Sequence, residues 1–180
     1  MDTRRAMKVL EYWFVELGPS DWFSVDVQRD SDIAGRFGEL YENIRVHYTR
    51  DIDDPEVALV QIIVLDQFSR NMFRGTARAF EADPLALDLA QNAVRLGLDR
   101  ELESLRRQFI YMPYMHSEDK SVHAKAVSLF TELDNDHALK YELEHKAIID
   151  RFGRYPHRNK ILGRESTPEE LEFLKTHKGF

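Results

Sequence analysis

One segment of the sequence changes abruptly from apolar to charged residues within what should be a single helix. Residues 57–65 are apolar at all but one position, and a helix that is apolar on all sides is buried on all sides. Asp66 and Arg70 follow one turn apart, as do Gln67 and Asn71. Buried ions must be paired or solvated. The segment therefore predicts either an ion pair that braces the core or a polar pocket at the end of a core helix.

A second polar group follows the apolar segment 109–115. His116 and Glu118 are both able to donate and accept protons, and they flank Ser117. One interpretation is an acid–base pair. The other is that Ser117 caps the next helix and Glu118 is a first-turn acid stabilised by the helix dipole. Taken alone, this segment favours the structural interpretation.

The third polar segment is strongly basic. Residues 151–164 contain five Lys or Arg residues and no acid, although the whole chain has a net charge of −7. Four of the five are arginines, whose planar guanidinium suits bidentate binding of a carboxylate or a phosphate. His157 adds a titratable donor beside Arg158 and Asn159. The alternative is that these arginines only cap helix ends and pair with surface acids.

Together the three segments predict a pocket for a small anionic ligand. The protein would then be a hydrolase or transferase acting on a phosphorylated or carboxylated metabolite. We expect His116 or His157 to transfer the proton, and Asp66 or Glu118 to be the carboxylate that orients this histidine. The predicted ligand-binding residues are Gln67, Arg70, Asn71, Arg74, Arg151, Arg154, Arg158, Asn159 and Arg164.

Two other functional interpretations stand beside the anion pocket. Helical arrays of the TPR type bind peptides in a concave groove, and the basic segment would then receive an acidic peptide without any catalysis. In the third interpretation the polar segments only brace a helical fold. Whether the protein is an enzyme is therefore left open.

Metal and cofactor sites find little support in the spacing. Glu142 and His145 are three residues apart, as in one ligand pair of a di-iron site, but such a site needs a second pair. A zinc site built from His116, His145, His157 and Glu118 would require a proximity that the spacing does not predict. The sequence also lacks a Gly-rich phosphate loop. We predict no metal and no cofactor.

Composition excludes several classes of protein. The 180-residue chain has no cysteine, which excludes disulfides, iron–sulfur clusters and a cysteine nucleophile. The acidic net charge argues against binding a nucleic-acid backbone, and no apolar run is long enough to cross a membrane. Glu11 and Glu16 interrupt the only stretch near the start that resembles a signal peptide. We expect a cytoplasmic protein without nucleic-acid or membrane partners, and a homo-oligomer is left open.

Helix start and stop signals divide the chain into eight helices with short connections. This pattern predicts an all-α fold of antiparallel hairpins in one domain over residues 1–180. Asp54 and Asp83 each precede a proline and are predicted N-caps, and Thr167 opens a capping box. Gly18, Gly97 and Gly153 are predicted to end helices in the left-handed conformation, and Pro113 to stop one. The predicted helices cover residues 3–17, from Ser31 or Asp32 to 48, 55 to 72 or 73, 84–96, 100–111, from the Ser117 cap to 133, 136–152, and 168–174.

Four blocks of the sequence form a specific combination. They are LDQFSRNMFRGT at 65–76 followed by Ala79-Phe80, residues 113–119 with the His-Ser-Glu triplet, residues 151–170, and Tyr12-Trp13-Phe14. These blocks span nearly the whole chain and resemble the bacterial domain-of-unknown-function family nine-two-four. Ser69 departs from the resemblance, because the family often has proline there. The resemblance implies an all-α, TPR-like right-handed helical array and brings no established activity and no catalytic residue.

Overall fold

The computed structural model describes residues 3–177 and residue 179, and within them the fold is all-α, as predicted, without a strand. Nine continuous helical segments occur in this part of the chain, one more than predicted. The α-helices are α1 Thr3–Glu11, α2 Pro19–Trp22, α3 Val27–Val46, α4 Pro55–Ile62, α5 Ser69–Met72, α6 Asp83–Leu96, α7 Ser104–Met115, α8 Lys120–Glu132, α9 Asp136–Phe152 and α10 Pro168–Phe173.

Two helices contain π-helical turns, in which the hydrogen bond reaches one residue further than in an α-helix. The segment Tyr12–Glu16 continues α1, and the segment Ile63–Phe68 joins α4 to α5. Within the described residues, three short 3-10 turns lie at Ala77–Phe80, Leu98–Glu101 and Pro156–Arg158. The helix predicted over 55–72 is therefore present as one continuous element with a π-helical centre.

Several predicted helix ends are confirmed by the cap geometry. The Asp54 carboxylate accepts a hydrogen bond from the Val57 amide at 2.9 Å, and Thr167 forms the predicted capping box. Gly97 and Gly153 end α6 and α9 with φ of 77° and 69°, a region that glycine enters without steric cost.

Other predicted ends are wrong because a different acceptor is used. Helix α3 begins at Val27 and not near Ser31 or Asp32, because the Asp26 carboxylate caps the Arg29 amide at 2.8 Å. The predicted cap Ser117 is replaced by Asp119, which accepts from Ser121 N at 2.7 Å. Asp83 is the first residue of α6 and not its N-cap, which leaves its carboxylate available for other partners.

Two predictions based on glycine and proline are also wrong. Gly18 has φ of −145°, an extended conformation, and Pro19 starts the additional helix α2. Helix α7 begins at Ser104 and not at Arg100, and it continues through Pro113 to Met115. All eight residues 108–115 are buried, and this packing compensates for the single hydrogen bond that a proline removes from a helix.

The core is assembled around the continuous helix that contains α4 and α5, which we call the central helix. Every residue from Ala58 to Ser69 is buried, and Phe68 lies within 6.0 Å of three other aromatic rings, those of Tyr12, Trp13 and Phe37. Helix α7 packs against α4, α6 and α8. A smaller apolar cluster of Ile148, Ile149, Phe152, Tyr155 and Phe173 joins α9 to the segment after it.

This packing brings the polar end of the central helix, the start of α6, the end of α7 and the Pro156–Arg158 turn towards one another. Within the described residues, no helix is both long enough and apolar enough to cross a membrane.

Candidate functional site

Asp66 lies at the centre of the site, in the π-helical turn between α4 and α5. Its side chain is fully buried, and Oδ1 lies 2.7 Å from Nδ1 of His116 at the end of α7. The Gln67 amide donates a hydrogen bond to the same carboxylate. Burial alone would raise the pKa of Asp66, but Arg70, His116 and Gln67 together lower it to about 2. Asp66 is therefore an ionised carboxylate in the interior.

Arg70 lies between two carboxylates. Its Nη1 is 3.2 Å from Asp66 Oδ1 and 3.0 Å from Asp83 Oδ1, and its Nη2 donates to Asp83 Oδ2 at 3.1 Å. The spacing of Asp66 and Arg70 predicted this first contact. Asp83 is a functional candidate that sequence reasoning missed, because an Asp-Pro pair is also the signature of a helix N-cap.

Arg158 is the most enclosed cation of the site. Its guanidinium carbon lies 4.6 Å from the centre of the Phe80 ring and 4.5 Å from that of Tyr155, so that the cation is held between two aromatic faces. Only 6% of the residue is exposed. Its contact with an anion is to Asp83 Oδ2 at 3.4 Å, and its buried Nε has no hydrogen-bond partner among the described residues. Burial and the neighbouring Arg70 lower the pKa of Arg158, although Asp83 acts in the opposite direction.

Three histidines in this region have pKa values below the ordinary value. Burial is the main cause in each case, and it lowers the pKa of His145 to about 3 and that of His157 to about 4. Arg70 contributes at His116, and Arg158 contributes at the other two. The rings of His116 and His145 lie 6.3 Å apart. At neutral pH all three are therefore uncharged imidazoles in a positive field.

Glu118 holds the basic segment against the end of α7. Its carboxylate accepts hydrogen bonds from Arg164 at 2.6 and 2.9 Å and from the Tyr155 amide at 2.8 Å. Burial would raise the pKa of Glu118, but Arg164 and the Tyr155 amide lower it overall. Tyr155 in turn donates through its hydroxyl to the Met115 carbonyl at 2.5 Å. These contacts fix the turn that presents Arg158.

The three polar segments predicted from sequence meet, but not with all of their residues. Asp66, Gln67, Arg70, His116 and Arg158 form one connected group with Asp83, which we call the Asp66–Arg158 cluster. Glu118, Arg164 and His157 lie beside it through Tyr155.

The remaining predicted ligand-binding residues have other partners. Asn71 and Arg74 bind Asp30 of α3, at 2.8 Å and 2.6 Å. Arg151 pairs with Glu169 at 2.8 Å and Arg154 with Glu170 at 2.7 Å. Asn159 donates to Ser166 at 3.0 Å and to Glu170 at 3.3 Å. For these five, the contacts are those of the alternative interpretation, in which arginines and amides brace the fold.

Glu142 and His145, the pair with metal-ligand spacing, do not act together. Glu142 binds His123 Nδ1 at 2.8 Å, and His145 Nδ1 donates to the Tyr141 carbonyl at 2.7 Å. No group of three or more His, Asp or Glu side chains that could hold a metal ion occurs in the described part of the chain.

The Asp66–Arg158 cluster lies apart from the two surface depressions of the α1–α3 region. Two surface depressions, of about 410 and 140 Å³, are lined by residues of α1 to α3 and of the segments between them. Within the cluster, the Arg70 and Asp83 side chains are the most exposed, at 20% and 18%. A ligand would reach the cluster at this edge.

Comparison with known proteins gives a family without an assigned activity. The family described as "Bacterial protein of unknown function (DUF924)" matches residues 9–178. The solved structure of the protein of unknown function ATU0120 from Agrobacterium tumefaciens is similar, with a TM-score of 0.90 and 36% sequence identity over 97% of this chain and 99% of that chain. No curated protein matches. Because the family match spans almost all of the sequence, the chain belongs to the bacterial family of unknown function DUF924.

Proposed function

We propose that the protein binds a small anionic molecule at Arg158 and that the Asp66–His116 pair transfers a proton to or from it. The corresponding reaction class is hydrolysis or group transfer on a phosphorylated or carboxylated metabolite. The observation that carries the proposal is the poorly satisfied guanidinium of Arg158 in the same cluster as a buried, oriented histidine.

Arg158 has hydrogen-bonding capacity that its contacts within the protein do not use. A guanidinium carries five N–H donors, but among the described residues the one hydrogen bond of the Arg158 side chain is the 3.4 Å contact with Asp83. Asp83 lies closer to Arg70, at 3.0 Å. A buried donor without a partner costs about 1 to 3 kcal/mol, and a carboxylate or phosphate would satisfy several donors at once. The two aromatic faces leave only the edge of the guanidinium available, so a ligand would bind in its plane.

The geometry of His116 supports proton transfer. The Asp66 carboxylate can only accept a hydrogen bond, so His116 Nδ1 carries the proton between them. The tautomer that acts through Nε2 as a base is then favoured, as in histidines oriented by a buried carboxylate. His116 is preferred to His157 as the proton-transfer residue because Asp66 orients it. Glu118 is assigned a positioning role, since it holds Arg164 and Tyr155.

The π-helical turn supports the same assignment. Single π-helical turns inside α-helices occur frequently at functional sites, and here the turn contains the ionised carboxylate of the cluster. The cluster draws on α5, α6, α7 and the Pro156–Arg158 turn, in keeping with the proposal of one domain over residues 1–180.

Peptide binding by a TPR-like array is the second proposal. It is supported by the packing of α6 on α7, α7 on α8 and α8 on α9, each helix against the next along the chain. It is weakened at the basic segment, because Arg151, Arg154 and Arg164 already pair with acids of the same chain. An acidic peptide would have to displace these contacts, so we favour the small anion.

Melting temperatures of the wild type and two arginine variants test the anion site. The probes are inorganic phosphate, sulfate, acetate, citrate and p-nitrophenyl phosphate. A ligand bound only by the native state raises the melting temperature by mass action, by about 2.7 kcal/mol of stability at one hundred times Kd. The matched control for Arg158→Gln is Arg100→Gln, an exposed arginine that pairs with Glu132 at 3.4 Å.

We expect at least one anion to raise the melting temperature of the wild type and of Arg100→Gln, and not that of a folded Arg158→Gln protein. Equal shifts in all three would contradict anion binding at Arg158. With a probe that is turned over, His116→Gln should keep binding and lose turnover. Unchanged turnover would contradict the assignment of His116.

A further inference from the structure

The charges of the Asp66–Arg158 cluster balance when His116 is neutral. Asp66 and Asp83 carry two negative charges, and Arg70 and Arg158 carry two positive charges. Both carboxylates have their shortest arginine contacts with Arg70, at 3.2 and 3.0 Å, and Arg158 lies further away. An anion that binds at Arg158 therefore adds negative charge to a group that is already neutral.

Uncompensated charge is costly in a buried site, because the surroundings stabilise it less than water does. The groups that face His116 are Asp66 and Arg70 from the central helix, Asp83 from α6 and His145 from α9. Asp66 is held ionised by Arg70, with a pKa of about 2. The pKa values of His145 and His157, about 3 and about 4, place both far from protonation at neutral pH.

His116 is the remaining group able to balance an added anion. Its Nδ1–H already bonds to Asp66 at 2.7 Å, so a second proton would go to Nε2. The imidazolium would then lie against an ionised carboxylate, which is the most favourable partner for it. Burial and Arg70 lower the pKa of His116, and a bound anion would oppose the effect of Arg70.

We infer that the site takes up a proton on His116 Nε2 together with its anionic ligand, so that binding itself converts His116 into a general acid. This inference rests on the proposed anion site at Arg158. It defines the ligand class as an ester or related compound of the bound acid, whose departing oxygen needs a proton. The Nε2 proton goes to that oxygen as its bond breaks. Water adds its hydroxyl to the acyl or phosphoryl group, and the proton released from water returns to Nε2.

Sulfate is a suitable probe, because it does not itself titrate near neutral pH. The ring signals of His116 are followed by proton–nitrogen NMR as a function of pH, with and without saturating sulfate. We expect the pKa of His116 to rise by about one unit or more in sulfate, because a nearby charge of opposite sign favours the protonated form. By reciprocity, sulfate should bind about tenfold more tightly to the protonated form for each unit of that shift.

Two variants distinguish proton uptake by His116 from anion binding at Arg158. His116→Gln should still bind sulfate but lose the pH dependence, and Arg158→Gln should lose binding, whereas Arg100→Gln should behave as the wild type. Sulfate binding that depends on Arg158 and leaves the pKa of His116 unchanged would overturn the inference and leave the anion site standing. No Arg158-dependent binding between pH 5 and 8 would overturn both. If His116→Gln does not fold, the wild-type titration of His116 alone decides.

Discussion

Two buried histidine–carboxylate pairs occur in the part of the chain that the structure describes, and they differ in what surrounds them. His116 lies 2.7 Å from Asp66, and His123 lies 2.8 Å from Glu142. The second pair is completely buried, and His123 Nε2 lies 2.8 Å from the Ser117 carbonyl. A carbonyl can only accept, so Nε2 is a donor there and both ring nitrogens of His123 are used inside the protein. The His116 side chain retains 11% exposure.

The carboxylates of the two pairs also respond differently to burial. Burial raises the pKa of Glu142, and His123 opposes this only in part. Asp66 is buried as completely, but Arg70 and His116 lower its pKa to about 2. A histidine beside a carboxylate is therefore no indication of function by itself. The arginines around the Asp66–His116 pair are the difference that supports a chemical role.

The largest expected effect is on stability and concerns the completely buried His123–Glu142 pair. Glu142→Ala would leave His123 without its partner, and we expect a loss of about 3 to 5 kcal/mol in the free energy of unfolding. Urea denaturation at neutral pH measures this. The control is Glu144→Ala, which removes an exposed carboxylate 3.9 Å from Lys140 and should cost less than about 1 kcal/mol. Equal losses in the two variants would show that the His123–Glu142 pair does not brace the fold.

The next effect is a pH dependence of opposite sign at the two carboxylates. The pKa of Asp66 falls from 3.8 to about 2 on folding, so its contribution is present above pH 3.8 and is lost as the pH falls towards 2. Two units correspond to about 2 to 3 kcal/mol. The pKa of Glu142 is raised on folding. Its contribution therefore favours the folded state at low pH and is lost as the pH rises through the folded pKa.

Denaturation of Asp66→Asn and Glu142→Gln between pH 2 and 6 separates these two contributions. The loss of stability on acidification should be shallower than in the wild type for Asp66→Asn and steeper for Glu142→Gln. Slopes that change in the same direction in both variants would remove the electrostatic distinction between the pairs.

The smallest expected effect is on the histidines near Arg158. Burial is the main reason that the pKa values of His145 and His157 are low, and Arg158 lowers both further. Arg158→Gln should therefore raise both pKa values, which NMR titration of the rings measures. Arg151→Gln, which removes a surface pair with Glu169, should leave them unchanged. Identical titrations in the two variants would show that Arg158 does not set the field in the cluster.

Sequence reasoning identified the three polar segments because charged residues next to apolar runs are visible in the pattern. The i, i+4 contact of Asp66 with Arg70 also follows from helical spacing. The contact between Asp66 and His116 does not, because the two residues are 50 positions apart and meet only through the packing of α7 on the central helix.

There are physical reasons why the roles of some residues could not be predicted from the sequence. Asp83 was assigned to a cap, since the Asp-Pro signal is the same for a cap and for a first helical residue. Glu142 and His145 share a helix face, as their spacing predicts, but Glu142 pairs with His123 of α8 and His145 Nδ1 bonds to the Tyr141 carbonyl of its own helix. The arginines of residues 151–164 cannot be distinguished by residue type. Arg158 lies in the cluster, whereas Arg151 and Arg154 pair with Glu169 and Glu170, and this difference depends on how the segment folds against α7 and α10.

The π-helical turn at Ile63–Phe68 means that the central helix has two angular phases. Each residue of an α-helix advances by about 100°, and the wider turn shifts the residues after it relative to those before it. The phase of α4 can thus be adapted to the apolar core, and that of α5 to the direction in which Arg70 points. If the turn were regular α-helix with the same residues, Arg70 would be rotated by about 100° relative to α4, away from Asp83 of α6. The wider turn therefore sets the direction of Arg70 without changing which face of α4 meets the core.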